Sequence, residues 1–130
     1  LFHGTPRREN IESIIADGVL GAGDVRESDG RVMGHAHGAR YGEGIYTSPS
    51  LTVADGYAFR DVQDRRQVLL CLVAPGAVEE LQGEWHDVEA KQREEGVWPL
   101  RLRAGPSARL SPDRTQLVCA YSHQVLPLLR

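Results

Sequence analysis

Cysteine, lysine and aromatic residues are scarce in this chain, and no apolar run is long enough to cross a bilayer. Of its 130 residues, 2 are cysteines and 6% are aromatic, and Lys91 is the only lysine. The longest apolar stretch, residues 68–74, has the length of a strand. The net charge of −3 is opposite in sign to the charge of a general polyanion-binding surface. These absences argue against a membrane span and against general nucleic-acid binding.

The two cysteines lie in apolar surroundings. Cys71 stands between two leucines, and Cys119 stands between Val118 and Ala120. No cationic residue flanks either thiol, so an activated catalytic cysteine is not expected. Buried free thiols in a reducing compartment account for both. We therefore expect an intracellular location, which nothing else in the sequence specifies.

Length and composition fit one globular domain that covers residues 1–130. Hydrophobic residues make up 41% of the chain and charged residues 25%, as in ordinary globular proteins. The first residue is Leu1 and not methionine. We therefore expect this domain to be cut from a longer protein.

The first predicted helix runs from Arg8 to Asp17. Its apolar residues recur at helical spacing and predict one buried face: Ile11, Ile14 and Ile15. Gly18 is a suitable C-terminal stop. Thr5 is the expected capping residue and Pro6 suits the first turn.

A second predicted helix follows a long polar loop. Residues 18–44 are rich in glycine, charged residues and histidine without periodicity, which predicts an ordered functional loop. Residues 45–47 form a short predicted strand. Ser48 is the expected cap, and Pro49 is the first residue of a helix that extends to about Phe59.

Further strands are predicted from apolar and alternating segments. Residues 1–3 form a short strand, and residues 67–74 form the clearest one, whose unbroken apolar character predicts burial on both faces. Residues 116–121 and 123–129 are too close together for a hairpin, so we expect one long bent strand.

The charged region between these strands is less regular. Residues 86–95 fit a surface helix or an insertion, and residues 97–103 alternate like an edge strand. Two helices among five or six strands, without regular βαβ alternation, predict an α+β domain with antiparallel sheets.

The most informative pattern is His3-Gly4-Thr5, followed about forty residues later by residues 42–46 and then by Tyr57. Singly, a histidine near a strand end is usually structural, paired glycines mark a turn, and tyrosines fill cores. In this order and at this separation they predict a histidine, a glycine main chain and two tyrosines around one flat, polar ligand. A nicotinamide dinucleotide fits that description best.

These stretches resemble the catalytic domain of the poly-ADP-ribose polymerases, the diphtheria-toxin-like ADP-ribosyltransferases. The resemblance implies the fold of that family: two packed, mainly antiparallel sheets with a few short helices. It also implies NAD⁺ as a substrate and no metal. The resembling segments span almost the whole chain: residues 1–5, 10–18, 41–46, Tyr57, 68–73 and 116–129.

The resemblance also implies a role for each motif residue. His3 would hydrogen-bond the 2′-hydroxyl of the adenosine ribose, which suits a neutral imidazole with a fixed tautomer. Gly4 would bind the nicotinamide carboxamide through its own N–H and C=O, and Thr5 would offer a hydroxyl to the same half of the ligand. Tyr46 and Tyr57 would sandwich the nicotinamide ring.

Two positions depart from the family pattern. Ungapped alignment of the last strand puts Gln116 where the polymerases have a glutamate that grips the nicotinamide ribose. Its amide can accept a hydrogen bond, but it supplies no negative charge toward a developing cation. Ala54 stands where the family usually has a serine that bonds the carboxamide, a loss of about 1 kcal/mol.

The resulting expectation is an NAD⁺-dependent mono-ADP-ribosyltransferase with His3, Tyr46 and Gln116 as its catalytic residues. A protein is the expected acceptor; nucleic acid is not favoured because of the acidic balance, and no membrane partner is expected. The alternative is a weak or inactive module of the same family that binds NAD⁺ or a partner. An NAD⁺ glycohydrolase or RNA 2′-phosphotransferase on a related scaffold is a third reading.

The remaining histidines, glutamates and arginines give weaker signals. His35 and His37, with His86 or His123, fit no strong zinc pattern, so no metal site is expected. Glu79 and the glutamates near it are expected to be solvated surface. Three loop arginines are candidates for binding the pyrophosphate: Arg26, Arg31 and Arg40.

Overall fold

The computed structural model describes residues 1–21, 23–33, 41, 44–83 and 106–128. Within these ranges the chain forms seven strands, two α-helices and one short 3₁₀ helix. The α-helices are α1 Arg8–Asp17 and α2 Leu51–Asp55, and the 3₁₀ helix is Ser122–Gln124. The strands are β1 Phe2–Gly4, β2 Ile45–Thr47, β3 Val68–Val73, β4 Val78–Glu80, β5 Ala108–Leu110, β6 Leu117–Cys119 and β7 Val125–Pro127.

The strands form two sheets. Three strands pair antiparallel in the order β1-β3-β7, and four strands pair in the order β2-β6-β5-β4. Only the β4–β5 pair of these neighbours is parallel. The predicted α+β class with two mainly antiparallel sheets is therefore confirmed. The main core contains residues from both sheets and from α1: Ile14, Val19, Ile45, Cys71, Ala108, Leu117, Cys119 and Val125.

Helix α1 has the predicted bounds but a narrower buried face. Ile11 and Ile14 are buried, whereas Ile15 is 53% exposed because the core contacts only one side of the helix. The capping prediction was wrong, since Arg7 precedes the helix and makes no side-chain cap. The Gly18 N–H donates to the carbonyl of Ile14 and ends the helix as predicted, in the left-handed backbone region.

Helix α2 begins two residues later than predicted and is shorter. Its cap is Ser50, whose hydroxyl accepts from the Val53 N–H. Ser48 is instead the last residue to pair with β1, and its hydroxyl donates to the carbonyl of Thr115 at 2.5 Å. Because Ser48 is still held in extended pairing, the helix cannot start there.

Strand β3 is not buried on both faces, so that prediction was wrong. Cys71 is buried, but Leu70 and Leu72 are 48% and 57% exposed. The sheet that contains β3 therefore packs on the core with one face only. Both cysteines are free and buried, as predicted. Burial raises the pKa of the Cys119 thiol to about 11, so this thiol is inert at neutral pH.

The last two strands are not one bent strand. β6 pairs in the four-stranded sheet and β7 in the three-stranded sheet, and the 3₁₀ helix makes the crossover between them. Gln124 fixes this crossover. Its amide nitrogen lies 3.0 to 3.3 Å from the carbonyls of Ala74, Pro75 and Ser107, and its amide oxygen accepts from the Tyr121 N–H at 2.8 Å.

Strands β4 and β5 were not predicted. Both are only three residues long. Glu79, expected on the solvated surface, is half-buried and pairs with the fully buried Arg109. The predictions for residues 86–95 and 97–103 fall outside the described residues. Among the helices described, none is long and apolar enough to span a membrane.

Candidate functional site

Strands β1 and β2 belong to different sheets and are joined at a single pair of residues. Phe2 and Ser48 exchange two main-chain hydrogen bonds, of 2.7 and 2.8 Å. In a regular antiparallel ladder the next such pair would be Gly4 with Tyr46. No main-chain bond joins these two in the described chain, so the strands separate at this point. We call residues 2–4 and 46–48 the sheet junction.

The His3 side chain enters the gap. Its Nδ1 lies 2.8 Å from the carbonyl oxygen of Tyr46. A carbonyl can only accept, so Nδ1 carries the proton and Nε2 is left as an acceptor. Nε2 has no hydrogen-bond partner among the residues that the structure describes. Burial lowers the pKa of His3, and the bond to Tyr46 opposes this more weakly. The imidazole is therefore neutral at physiological pH, in one tautomer.

Gly4 presents its main chain to the same gap. Leu1 exchanges hydrogen bonds with Cys71 of β3, and the register then makes His3 the next residue bonded to that strand. The N–H and C=O of Gly4 are thus directed away from β3. A side chain is excluded here, because a Cβ on Gly4 would lie 2.1 Å from the Ala54 carbonyl oxygen. The glycine lets α2 approach β1 while the main chain stays accessible.

Tyr46 is held at both ends. Its carbonyl accepts from His3, and its hydroxyl oxygen accepts from the Tyr41 N–H at 2.9 Å. The ring packs beside Tyr41 and Val118. Burial raises the pKa of the Tyr46 phenol well above its usual value, so the hydroxyl stays protonated. Tyr57 lies close enough to influence that pKa and is 38% exposed.

Gln116 combines a bonded main chain with an unbonded side chain. Its N–H donates to the Ser111 hydroxyl at 3.0 Å, and its carbonyl accepts from the Ser111 N–H at 2.9 Å. The amide group is buried, with 9% of the residue exposed, and it makes no hydrogen bond with the described residues. Alternation from β6 aligns Gln116 with the face that carries Val118 and Tyr46. A buried amide in this state is costly unless a ligand or water satisfies it.

Thr5 and Ala54 line the other side of the junction. Thr5 is buried, and its hydroxyl oxygen accepts from the Asn10 amide at 2.8 Å. Its own O–H is left to donate. Ala54 is buried and supplies no side-chain polar group. The Ser50 hydroxyl caps α2, so it does not replace the hydroxyl that Ala54 lacks.

The remaining sequence candidates divide into those described and those not described. Arg26 is engaged by the Asp29 carboxylate and by the Ser13 hydroxyl, at 3.1 Å for the latter. Arg40, the two loop histidines and His86 lie outside the described residues, as do Gly42 and Glu43. In the described ranges no three His, Cys, Asp or Glu side chains are grouped as metal ligands.

Sequence reasoning missed Arg109. This side chain is fully buried, and it donates to the Tyr41 carbonyl at 3.0 Å and to the Glu79 carboxylate at 3.2 Å. The sequence does not indicate that this arginine is buried, because a three-residue strand is too short to show a pattern. Only its position opposite Val118 shows that it belongs to the Tyr46 face of the sheet.

Comparison with known proteins gives one family. The family model described as the poly(ADP-ribose) polymerase catalytic domain matches residues 1–101 of the 130. The matched range includes His3, Tyr46 and Tyr57 and ends before Gln116. The family resemblance inferred from the motifs is therefore confirmed. No curated protein matches the chain.

Proposed function

Because the chain belongs to the poly(ADP-ribose) polymerase catalytic-domain family, whose members are NAD⁺-dependent ADP-ribosyltransferases, we propose that it transfers single ADP-ribose units from NAD⁺ to a protein acceptor. One observation carries this proposal. At the sheet junction the His3 imidazole takes the place of the next main-chain pair, which leaves its own Nε2 and the main chain of Gly4 without partners in the described chain. The buried amide of Gln116, which precedes β6, also lacks a partner there. Those groups match a ligand that offers hydroxyls and a carboxamide.

Each group has a place in the binding of NAD⁺. The His3 Nε2 accepts from the 2′-hydroxyl of the adenosine ribose, which requires the neutral tautomer fixed by Tyr46. The Gly4 N–H and C=O bind the carboxamide, and the Thr5 O–H donates to the same half. Tyr46 and Tyr57 stack on the nicotinamide ring, Tyr57 from the more exposed side.

The reaction breaks the bond between nicotinamide and the anomeric carbon of its ribose. The bonding electron pair leaves with nicotinamide and neutralises its ring, while positive charge develops on the ribose. A nucleophilic group of the acceptor then attacks the anomeric carbon and loses its proton. Gln116 orients the ribose by accepting from its 2′-hydroxyl. Its neutral amide adds no negative charge beside the cation, a loss typically worth a few kcal/mol.

The same residue limits the product to one unit. Chain growth requires that a ribose hydroxyl of the previous unit become nucleophilic, which a carboxylate can promote as a base or by its charge. A neutral amide cannot remove or strongly polarise that proton. Gln116 therefore favours mono-ADP-ribosylation and slow turnover.

Labelling with NAD⁺ tests this proposal. The purified chain, incubated with NAD⁺ labelled in its adenosine, is expected to give labelled protein whose digestion releases single units. His3→Ala is expected to abolish the label, and the exposed His123→Ala is the matched control. Gln116→Glu should raise the rate on the order of a hundredfold, because it restores preorganised charge. Unchanged labelling in His3→Ala would remove the role assigned to that residue.

A non-catalytic NAD⁺-binding module is the second candidate. The neutral amide of Gln116 and the missing hydroxyl at Ala54 favour it, because both weaken catalysis without closing the junction. Calorimetric NAD⁺ binding with no nicotinamide release over long incubation would support this reading. Release of nicotinamide with free ADP-ribose and no labelled protein would identify a glycohydrolase instead.

A further inference from the structure

Arg109 is the largest side chain among the fully buried residues of the described chain. A buried guanidinium is expensive to desolvate unless it is paired and hydrogen-bonded. Its Nε donates to the Glu79 carboxylate at 3.2 Å, and its Nη1 donates to the Tyr41 carbonyl at 3.0 Å. An apolar side chain of similar volume could fill the same space at no loss of stability. The two directed bonds therefore call for an explanation beyond packing.

The register of the sheet connects Arg109 to Tyr46. Val118 pairs with Tyr46 on one side and with Arg109 on the other, and Arg109 pairs with Glu79. Residues paired in this way share one face of the sheet. These four positions therefore form a row across all four strands, which we call the Tyr46–Glu79 row.

Tyr41 is hydrogen-bonded to two members of this row, Tyr46 and Arg109. Its N–H donates to the Tyr46 hydroxyl at 2.9 Å, and its carbonyl accepts from Arg109 at 3.0 Å. The buried ring of Tyr41 packs with Val118, which lies between Tyr46 and Arg109 in the row. The Tyr46 hydroxyl is thus anchored to a residue that is itself anchored to a buried, ion-paired arginine. The phenol oxygen lies on the long axis of the tyrosine ring, so fixing this oxygen fixes the position and direction of that axis. The packing of Tyr46 beside Tyr41 and Val118 restricts rotation of the ring about it.

We propose that Arg109 is a positioning residue, which holds the ring axis of Tyr46 in place through Tyr41 and so positions the Tyr46 ring against the nicotinamide ring of NAD⁺. The contact between Tyr46 and the nicotinamide ring rests on the proposed function, whereas the positioning of Tyr46 by Arg109 does not. Arg109 lies in the four-stranded sheet beyond Val118 and touches no group of the sheet junction directly in the bonds described. Its effect on substrate passes through Tyr46.

A double-mutant cycle separates this role from simple packing. Arg109→Met keeps the length of the side chain and removes the bonds to Glu79 and Tyr41, and Tyr46→Phe removes only the hydroxyl. Each single variant is expected to raise KM for NAD⁺ about three- to tenfold, the size of one lost hydrogen bond, with a smaller change in kcat. In the Tyr46→Phe background, Arg109→Met should add less than about twofold. Effects that multiply instead would overturn the proposal.

Three further variants serve as controls for this cycle. Arg114→Met is the matched control, because Arg114 forms an exposed ion pair with Glu80 and should leave KM unchanged. If Arg109→Met unfolds because the Glu79 carboxylate loses the Arg109 guanidinium, the charge-free pair Arg109→Met with Glu79→Met replaces it in the cycle. Arg109→Lys keeps the charge, but one nitrogen cannot stand at both the Nε and Nη1 positions, so only partial rescue is expected.

Ring signals test the first step without NAD⁺. In protein carrying ¹³C-labelled tyrosine, four tyrosines give four sets of ring signals, and Tyr46→Phe identifies the Tyr46 set. Arg109→Met should shift the Tyr41 and Tyr46 signals and leave Tyr121 in place. Unchanged Tyr46 signals would refute the positioning role. Shifted signals in a protein that binds no NAD⁺ would keep that role while rejecting the proposed function.

Discussion

Buried polar groups occur at both the sheet junction and the β6–β7 crossover, but their hydrogen bonding differs. At the crossover, Gln124 is bonded at both ends of its amide, to three carbonyls and one N–H. At the junction, the Nε2 of His3 has no partner in the described chain, and neither has the amide of Gln116, which lies next to the junction in the β2–β6 register. The two glutamines stand eight positions apart: Gln116 precedes β6, and Gln124 is the last residue of the 3₁₀ helix that makes the crossover. One is satisfied within the protein, whereas the other is available to a ligand.

This difference assigns the two regions different tasks. A fully bonded buried amide contributes to stability, and removing it leaves several groups unsatisfied. An unbonded buried amide lowers stability, and this free-energy cost is recovered only when a ligand bonds to the amide. The crossover therefore holds the two sheets together, while the unbonded groups at and next to the junction are the ones that we propose for binding NAD⁺. Substitutions at the two glutamines should have opposite effects on stability.

The largest effect is expected for Gln124→Leu. The substitution removes the amide donor shared by the carbonyls of Ala74, Pro75 and Ser107, and the acceptor of the Tyr121 N–H. The Pro75 and Ser107 carbonyls keep a second donor each, so the Ala74 carbonyl and the Tyr121 N–H bear most of the loss. We expect the free energy of unfolding to fall by about 3 kcal/mol, measured by urea denaturation. Gln82→Leu, at an exposed position, is the control. A loss below about 1 kcal/mol would mean that the crossover is not held by this amide.

His3→Ala is expected to act mainly on binding. It removes the Nε2 acceptor and the bond that orients the Tyr46 carbonyl. The affinity for NAD⁺ should fall by about 2 kcal/mol, or roughly thirtyfold in Kd, measured by calorimetry. His123→Ala should bind like the wild type. Equal affinities for wild type and His3→Ala would show that the junction is not the adenosine-ribose site.

Gln116→Leu sharpens the contrast with Gln124 most directly. It replaces an unbonded buried amide with an apolar side chain of similar size, so we expect the unliganded protein to gain about 1 kcal/mol of stability. The same variant should lose the stabilisation that NAD⁺ gives the wild type, which thermal melts with and without NAD⁺ would detect. A destabilised Gln116→Leu protein would indicate that this amide is bonded inside the fold.

The smallest expected effect is a pH dependence from His3. Burial lowers its pKa in the folded state below the unfolded value of about 6.5. As pH falls below about 6.5, the unfolded chain takes up the proton before the folded chain does. The free energy of unfolding should therefore decrease on acidification, until the pH reaches the folded pKa. His3→Gln should flatten this part of the curve, which urea denaturation at a series of pH values would measure.

Much of the junction could be predicted because it depends on local chemistry. The order of His3, Gly4, Tyr46 and Tyr57 along the chain carries the family pattern, and α1 and β2 have the predicted bounds. The elements missed are those whose stability comes from distant partners. Strands β4 and β5 are too short for periodicity to show.

Tertiary contacts also explain the incorrect predictions. Ser48 has the chemistry of a helix cap, but its pairing with Phe2 keeps it extended and moves the cap to Ser50. Residues 116–129 appear continuous in sequence, although Gln124 turns the chain from one sheet into the other. In both places a long-range hydrogen bond overrides the local preference, which no single-sequence pattern reports.

The most direct test is a crystal structure of the chain with an unreactive NAD⁺ analogue. We predict that the adenosine-ribose 2′-hydroxyl lies within hydrogen-bonding distance of the His3 Nε2. The carboxamide should lie on the Gly4 N–H and C=O, and the Gln116 amide should face the nicotinamide ribose. Density for the analogue at another surface, with these groups bonded to the protein itself, would contradict the assignment of the sheet junction as the NAD⁺ site.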